Sequence, residues 1–104
     1  MAKRITWSEQ AHLDRQEILQ YWTKRNQSKT YSIKLNKLFK EAVRILAKYP
    51  GIGKPTDLIG VRGKIVRDYI IFYQVEKDVL QILTIWDTRQ DPVERKEKIK
   101  KGYN

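Results

Sequence analysis

The pattern of apolar and polar positions predicts three consecutive strands in the second half of the chain. Residues 61–66, 69–75 and 79–86 are rich in β-branched and aromatic residues, and short polar turns separate them, as is typical of antiparallel hairpins. The middle segment, YIIFYQV, is apolar at nearly every position, so we expect it to be central and largely buried. The first segment alternates, which predicts that Arg62 and Lys64 project from one face.

A short strand and two helices are predicted upstream. Residues 4–7 alternate as a strand, and Ser8 is a suitable N-cap for a helix that ends between Lys24 and Gln27. A longer helix follows and ends at Pro50, because its apolar residues recur at helical spacing. That apolar stripe consists of Tyr31, Leu35, Leu38, Phe39, Ala42, Leu46 and Tyr49.

The resulting order, β-α-α-β-β-β, predicts an α+β fold in which a helical hairpin packs on a small, mainly antiparallel sheet. We expect residues 1–92 to form a single domain, with residues 50–60 as a loop. Residues 93–104 form a basic tail with little apolar surface, which predicts a frayed helix or disorder. Where the second helix meets the sheet, we expect four buried side chains: Phe39, Leu46, Ile71 and Leu83.

Composition limits the classes of partner. The 104 residues include 22 Lys and Arg against 12 Asp and Glu, a net charge of +10. This balance favours a nucleic acid, an acidic protein or an anionic membrane surface. The chain has no cysteine and one histidine, so we expect no metal and no other cofactor. Because no apolar run could span a bilayer and the first residues lack a signal-peptide core, we expect a cytoplasmic protein with no membrane partner.

Cations beside the strands are the candidate functional residues. The candidates for contacts with nucleic-acid phosphates are Arg62, Lys64, Arg67 and Arg89. Arginine suits phosphate because its planar fork donates two hydrogen bonds at once. RNA cleavage needs positive charge at the phosphate and a base, so Arg89 and Arg62 are also catalytic candidates, with Asp87 as a less favoured base.

Each candidate also has a structural interpretation. Lys and Arg on a sheet edge blunt unwanted strand pairing, which is the simpler interpretation of Lys64 and Arg67. For Arg62 and Arg89 both interpretations stay open. An aspartate in a loop more often caps a turn than acts as a base, so we favour a structural role for Asp87.

Four local motifs follow one another along the chain. They are Ile5-x-Trp7-Ser8-x-x-Ala11-x-x-Asp14, Leu46-x-x-Tyr49-Pro50-x-x-Gly53-x-Pro55, the hairpin from Val61-Arg62 to Gln74-Val75, and Ile85-Trp86-Asp87-Thr88-Arg89. In this order and at this length, residues 4–92 resemble the RelE/ParE superfamily of bacterial toxins. The resemblance implies the toxin of a type II toxin–antitoxin pair, whose cognate partner is an acidic antitoxin.

The branches of this superfamily act on different targets. RelE-like members cleave mRNA on the ribosome, whereas ParE-like members inhibit DNA gyrase. The resemblance places Arg89 at a basic position that RelE-like toxins use near the scissile phosphate. Ile70, however, stands where those enzymes carry another catalytic arginine, their C-terminal tyrosine would fall near Arg95, and the His-Tyr pair of a related branch is missing.

Net charge favours a ribosome-dependent mRNA endonuclease, since +10 suits ribosomal RNA. Gyrase inhibition without catalysis is the alternative, and a non-toxic small nucleic-acid-binding protein is a second alternative.

Overall fold

A computed structural model describes residues 2–103; Met1 and Asn104, the ends of the predicted domain and tail, lie outside the described residues. The strands are β1 (Arg4–Trp7), β2 (Lys54–Pro55), β3 (Val61–Val66), β4 (Tyr69–Glu76) and β5 (Val79–Asp87). The helices are α1 (Glu9–Asn26), α2 (Thr30–Lys48) and α3 (Arg95–Lys101), with 3₁₀ turns at Pro50–Ile52 and Pro92–Glu94. The α+β fold expected from the sequence is confirmed. Among the described residues, no helix combines the length and apolarity needed to cross a membrane.

One five-stranded sheet has the order β1-β5-β4-β3-β2. β1 pairs with β5 in parallel, and every other neighbouring pair is antiparallel. The apolar strand β4 is therefore the central strand, as its sequence predicted. Because β3 and β5 both run antiparallel to β4, the end of β5 lies at the same end of the sheet as the β3–β4 turn.

The helical hairpin begins and ends where its local sequence predicts. Ser8 caps α1: its Oγ accepts a hydrogen bond from the Ala11 amide at 3.0 Å and donates one to the Leu83 carbonyl at 2.7 Å. α1 ends at Asn26, after which Gln27 takes a left-handed conformation with φ of 50°. Pro50 follows α2 and starts a 3₁₀ turn, because proline cannot continue a helix.

Each face of the sheet buries a separate apolar cluster. The helical hairpin covers one face, where Phe39, Leu46 and Ile71 are fully buried as expected. The opposite face holds Val61, Phe72, Leu83, Trp86 and Ile99. Leu83 is thus buried, but on the face away from α2, because successive strand residues point to opposite faces and its neighbour Ile82 lies in the helix-side cluster. A bulge in β5 starts here: Tyr73 pairs with Ile82 and Phe72 with Thr84, which leaves Leu83 without a partner.

Two segments have more structure than the sequence indicated. The tail was expected to be a frayed helix or disordered; residues 95–101 form the helix α3, and its one aliphatic side chain, Ile99, is 2% exposed against the second cluster. The expected loop of residues 50–60 contains the short edge strand β2, which pairs with Arg62 and Gly63 of β3. In both cases a sheet already in place supplies the burial or pairing that the local sequence lacks.

Candidate functional site

Arg89 lies just beyond β5 and forms an ion pair with Asp87, the last residue of that strand. Its Nε donates to Asp87 Oδ1 at 3.0 Å and its Nη2 donates to Oδ2 at 2.9 Å. The Arg89 backbone amide also donates to Oδ1, at 2.9 Å. This two-bonded geometry is the most favourable one for guanidinium and carboxylate. The Arg89 side chain is 50% exposed and nevertheless has a defined orientation.

Aromatic residues of α1 and β4 pack against the Arg89–Asp87 ion pair on its protein side. The Arg89 guanidinium carbon lies 5.7 Å from the centre of the Trp22 ring, within the range of a cation–π contact. The Trp22 indole donates a hydrogen bond to the Tyr69 hydroxyl at 2.8 Å. Tyr69 in turn pairs with Asp87 across the strands and packs edge-on against Phe39. A rigid base thus presents Arg89 to solvent.

The contacts of this cluster shift its titrating groups in consistent directions. Hydrogen bonds from Arg89 lower the pKa of Asp87 below its ordinary value, against the opposing effect of partial burial. The same hydrogen bonds raise the pKa of Arg89. Burial raises the pKa of the Tyr69 hydroxyl, although the Trp22 hydrogen bond opposes that shift. Near neutral pH, Asp87 is therefore an anion with little tendency to accept a proton, and Tyr69 is neutral.

A cleft of about 430 Å³ opens beside Arg89, between α1, the end of β5 and α3. Its walls carry both signs of charge, from Asp14, Glu17, Asp87, Arg89 and Lys98. At its floor the Asp14 carboxylate accepts hydrogen bonds from the Thr84 hydroxyl and the Ile85 amide. It also forms an ion pair with Lys98, whose Nζ lies 3.1 Å from Asp14 Oδ1. This mixed charge does not favour an anionic ligand in the way that a purely cationic pocket would.

The sheet separates the four cations that the sequence selected. Arg67 lies in the β3–β4 turn, and the Asp68 carbonyl of that turn accepts a hydrogen bond from the Thr88 amide at 2.9 Å, so Arg67 and Arg89 share one end of the sheet. Lys64 pairs with Ile71 halfway along β3. Arg62 lies near the opposite end of that strand. The structure thus brings two of the four together.

Arg62 is engaged with its own loop. Its Nη1 donates to the Gly53 carbonyl at 2.7 Å and approaches the Gly51 carbonyl at 3.4 Å. The buried Tyr73 hydroxyl completes the arrangement, because it donates to the Pro50 carbonyl at 2.6 Å and accepts from the Gly53 amide at 3.0 Å. Arg62 therefore holds the segment before β2 against the sheet.

Few groups near Arg89 could transfer a proton near neutral pH. The one histidine of the chain, His12, stacks on Trp7, with ring centres 5.9 Å apart. It lies ten residues before Trp22 on α1, about 15 Å along the helix axis. Ile70 packs on the opposite face of the sheet, among the residues that contact α3. Residues 2–103 contain no group of three or more acidic or histidine side chains that could hold a metal ion.

The sequence analysis did not place Trp22 or Tyr69 in the site and missed their contacts with Arg89 and Asp87. One signal was available: Asp14, Ile18 and Trp22 recur every four residues, so a carboxylate lies in an otherwise apolar stripe. A charged group in such a stripe requires polar partners. In the structure one of these partners is a cation, Lys98 of the tail.

The fold and the family comparison identify a toxin of the RelE/ParE superfamily. The family model described as "ParE toxin of type II toxin-antitoxin system, parDE" matches residues 5–92, and the chain belongs to this family. Its function is accordingly that of a toxin in a type II pair, and its partner is an antitoxin.

Among solved structures, a chain of the chromosomal ParDE TA system from P. aeruginosa has a TM-score of 0.73 and 21% sequence identity, and the match covers 83% of this chain and 96% of that chain. At this identity the likeness is one of fold. The comparison with curated proteins finds no match.

Proposed function

We propose that this toxin inhibits DNA gyrase by binding it and performs no chemistry of its own. The observation that carries the proposal is the ion pair between Arg89 and Asp87. An endonuclease needs a base with a pKa near the working pH, and Asp87 is shifted in the opposite direction. The guanidinium is also already paired with a carboxylate, so a phosphate would have to displace that carboxylate.

The surroundings of the ion pair support the same proposal. His12 is remote from Arg89, and Ile70 occupies the position at which the RelE-like branch carries a second cation. The family model that matches is that of ParE, and ParE-like toxins inhibit gyrase. Arg89 and Arg67 then act as contact residues at one end of the sheet, where the rigid Trp22 and Tyr69 base limits the entropy lost on binding.

Ribosome-dependent cleavage of mRNA is the second candidate, and a specific observation favours it. The net charge of +10 suits ribosomal RNA, and Arg89 stands at a position where RelE-like enzymes use a cation. In this case Asp87 would position Arg89, and the guanidinium would stabilise charge on the phosphate in the transition state.

Supercoiling of relaxed plasmid by purified gyrase, titrated with the toxin, tests the proposal. A binding inhibitor should act in proportion to its amount and reach full inhibition near equal molar ratio with gyrase. Primer extension on mRNA from a translating extract that contains the same toxin should show no new ends. Cuts in mRNA without inhibition of gyrase would overturn the proposal in favour of the endonuclease.

Two variants at the same end of the sheet sharpen the comparison. Arg89→Ala and Arg67→Asn each remove one exposed cation, and asparagine tolerates the left-handed backbone at position 67, where φ is 56°. A contact surface predicts modest losses of potency, about 10-fold or less, for both variants. An enzyme predicts a loss of ~100–1,000-fold for Arg89→Ala alone. If the parent protein neither inhibits gyrase, nor cuts mRNA, nor arrests growth, both candidates fail.

A further inference from the structure

The face of α2 that points away from the sheet is strongly basic, although Glu41 and the exposed Ile33 and Ile45 interrupt it. Between Thr30 and Lys48 the helix has five cations and one carboxylate, Glu41. We call the five cations the α2 ridge: Lys34, Lys37, Lys40, Arg44 and Lys48. All five are exposed, because the buried side chains of α2 lie on the opposite side, against α1 and the sheet.

The fold gains little from the α2 ridge, of which only Lys48 lies in the last turn, where it complements the helix dipole. Its cations follow one another at spacings of three or four residues, so that each lies beside the next on the helix surface, where like charges repel. None of the ion pairs formed within residues 2–103 involves a ridge cation. The first turn of α2 contains no acidic residue that would complement the helix dipole. Glu41, four residues after Lys37 and three before Arg44, offsets part of this repulsion, and an anionic partner relieves the rest.

A groove extends this positive surface onto α1. It has a volume of about 370 Å³ and lies between the two helices, where His12 and Arg15 of α1 face Asn36 and Lys40 of α2. Arg15 is held in place by Trp7, since its guanidinium carbon lies 4.3 Å from the centre of that ring. A sixth cation thus lies beside the α2 ridge with its orientation fixed.

We propose that the α2 ridge and Arg15 bind the phosphate backbone of a nucleic-acid duplex. Lys34 and Lys48 are 14 residues apart, which corresponds to about 21 Å along the helix. This length spans about six phosphates of one strand at ~3.4 Å each along the duplex axis. The core of a protein interface is depleted of charged residues, so a row of five cations fits repeated phosphates better than an acidic protein.

This inference goes beyond the proposed inhibition of gyrase and does not require it. The α2 ridge is distinct from the end of the sheet that carries Arg67 and Arg89, because its side chains project from the side of α2 that faces away from the sheet. Duplex DNA held by gyrase and helical ribosomal RNA present the same phosphate chemistry. A binding experiment with isolated duplexes, without gyrase or ribosomes, can distinguish DNA from RNA.

Fluorescence anisotropy with the full-length chain and two labelled duplexes, one of DNA and one of RNA with the same sequence, tests the proposal over a series of salt concentrations. The ridge variant is Lys37→Gln/Lys40→Gln/Arg44→Gln. The control, Lys77→Gln/Lys100→Gln/Lys101→Gln, loses the same charge at exposed positions elsewhere. The melting temperature of each variant shows that it remains folded.

We expect the ridge variant to bind at least ~10-fold more weakly than the control, with its log–log salt slope reduced by about three. Preference for the DNA or the RNA duplex identifies the source of the phosphates, and either preference supports the proposal. Equal losses in both variants would mean that binding follows net charge alone and would overturn it. Loss of antitoxin binding in the ridge variant, with duplex binding unchanged, would also overturn it.

Discussion

Lys98 Nζ lies 3.1 Å from Asp14 Oδ1, so the last helix of the chain is tied to the first by an ion pair whose carboxylate is buried. Asp14 has three further hydrogen-bond donors: the Gln10 side chain, the Thr84 hydroxyl and the Ile85 amide. All of them meet beside the bulge at Leu83. The carboxylate therefore connects α1, β5 and α3 at the floor of the cleft beside Arg89.

Removal of the lysine charge should destabilise the protein. Lys98→Met keeps the aliphatic chain and leaves the Asp14 carboxylate with three donors. Loss of one partner of a fully buried pair costs ~3–5 kcal/mol, but the Lys98 side chain is 32% exposed, so we expect about 1–2 kcal/mol. Urea unfolding measures the loss. Lys100→Met on the same helix is the control and should change stability by less than ~0.5 kcal/mol.

The close approach of α3 to the bulge gives a second prediction. A Cβ atom at Gly102 would overlap the backbone of Leu83, including its carbonyl group. Gly102→Ala should therefore push the end of α3 away from β5 and cost about 1–3 kcal/mol, as overpacking does. Gly51→Ala is the matched control, because a Cβ there meets no atom within 4 Å. Equal melting temperatures for the two variants would contradict the packing of α3 described above.

Phe39 tests the cluster between the helices and the sheet. Its side chain is fully buried and packs edge-on against Tyr69, with ring centres 5.7 Å apart. Phe39→Ala should lower the free energy of unfolding by about 3–5 kcal/mol, a large share for a domain of this size. Chemical denaturation gives the value directly, and a loss below about 1 kcal/mol would mean that the cavity collapses or that the ring is exposed in solution.

The sequence predicted the order and type of the main elements because their apolar periods are long and unambiguous. The stripe of α2 and the apolar run of β4 each specify a burial pattern that only one element type satisfies. For α3 the sequence predicted a frayed helix or disorder, and its packing on the sheet could not be expected because its local composition is polar. Ile99 is buried only because the sheet face away from α2 offers it the apolar residues Phe72, Leu83 and Trp86, which come from two different strands.

The candidate site was predicted only in part, because sequence patterns reveal local proximity but not contacts between distant elements. Arg89 and Asp87 are close in sequence, so their proximity could be expected before the fold was known. Their contacts with Trp22 and Tyr69 depend on how α1 crosses the sheet, which no local pattern encodes. The contacts of Arg62 with the Gly51 and Gly53 carbonyls likewise depend on β2. That strand has two residues and is too short to leave a periodic signal.

The ion pair beside the cleft makes stability depend on pH in the acid range. Arg89 lowers the folded-state pKa of Asp87 below its ordinary value of 3.8, so the unfolded chain binds the proton more readily. The stabilisation is therefore complete above that ordinary pKa and is lost as the pH falls through the lower folded-state pKa. The parent protein should melt higher than Asp87→Asn at about pH 6, and the difference should shrink toward about pH 3. A difference that stays constant over this range would assign the effect to packing rather than to charge.

Electrostatic steering should govern association with the antitoxin, which we expect to be acidic. A chain with a net charge of +10 attracts an anionic partner over distances of about one Debye length, ~10 Å at 0.1 M salt. The association rate constant should therefore fall as salt is added, while the dissociation rate constant changes little, because apolar contacts hold the formed complex. Stopped-flow mixing of the two purified proteins separates the two constants.

The α2 ridge variant and its charge-matched control should slow association equally if the whole field steers the partner, and unequally if the α2 ridge forms part of the docking surface. An association rate that does not respond to salt would rule out steering and would leave apolar complementarity as the basis of recognition.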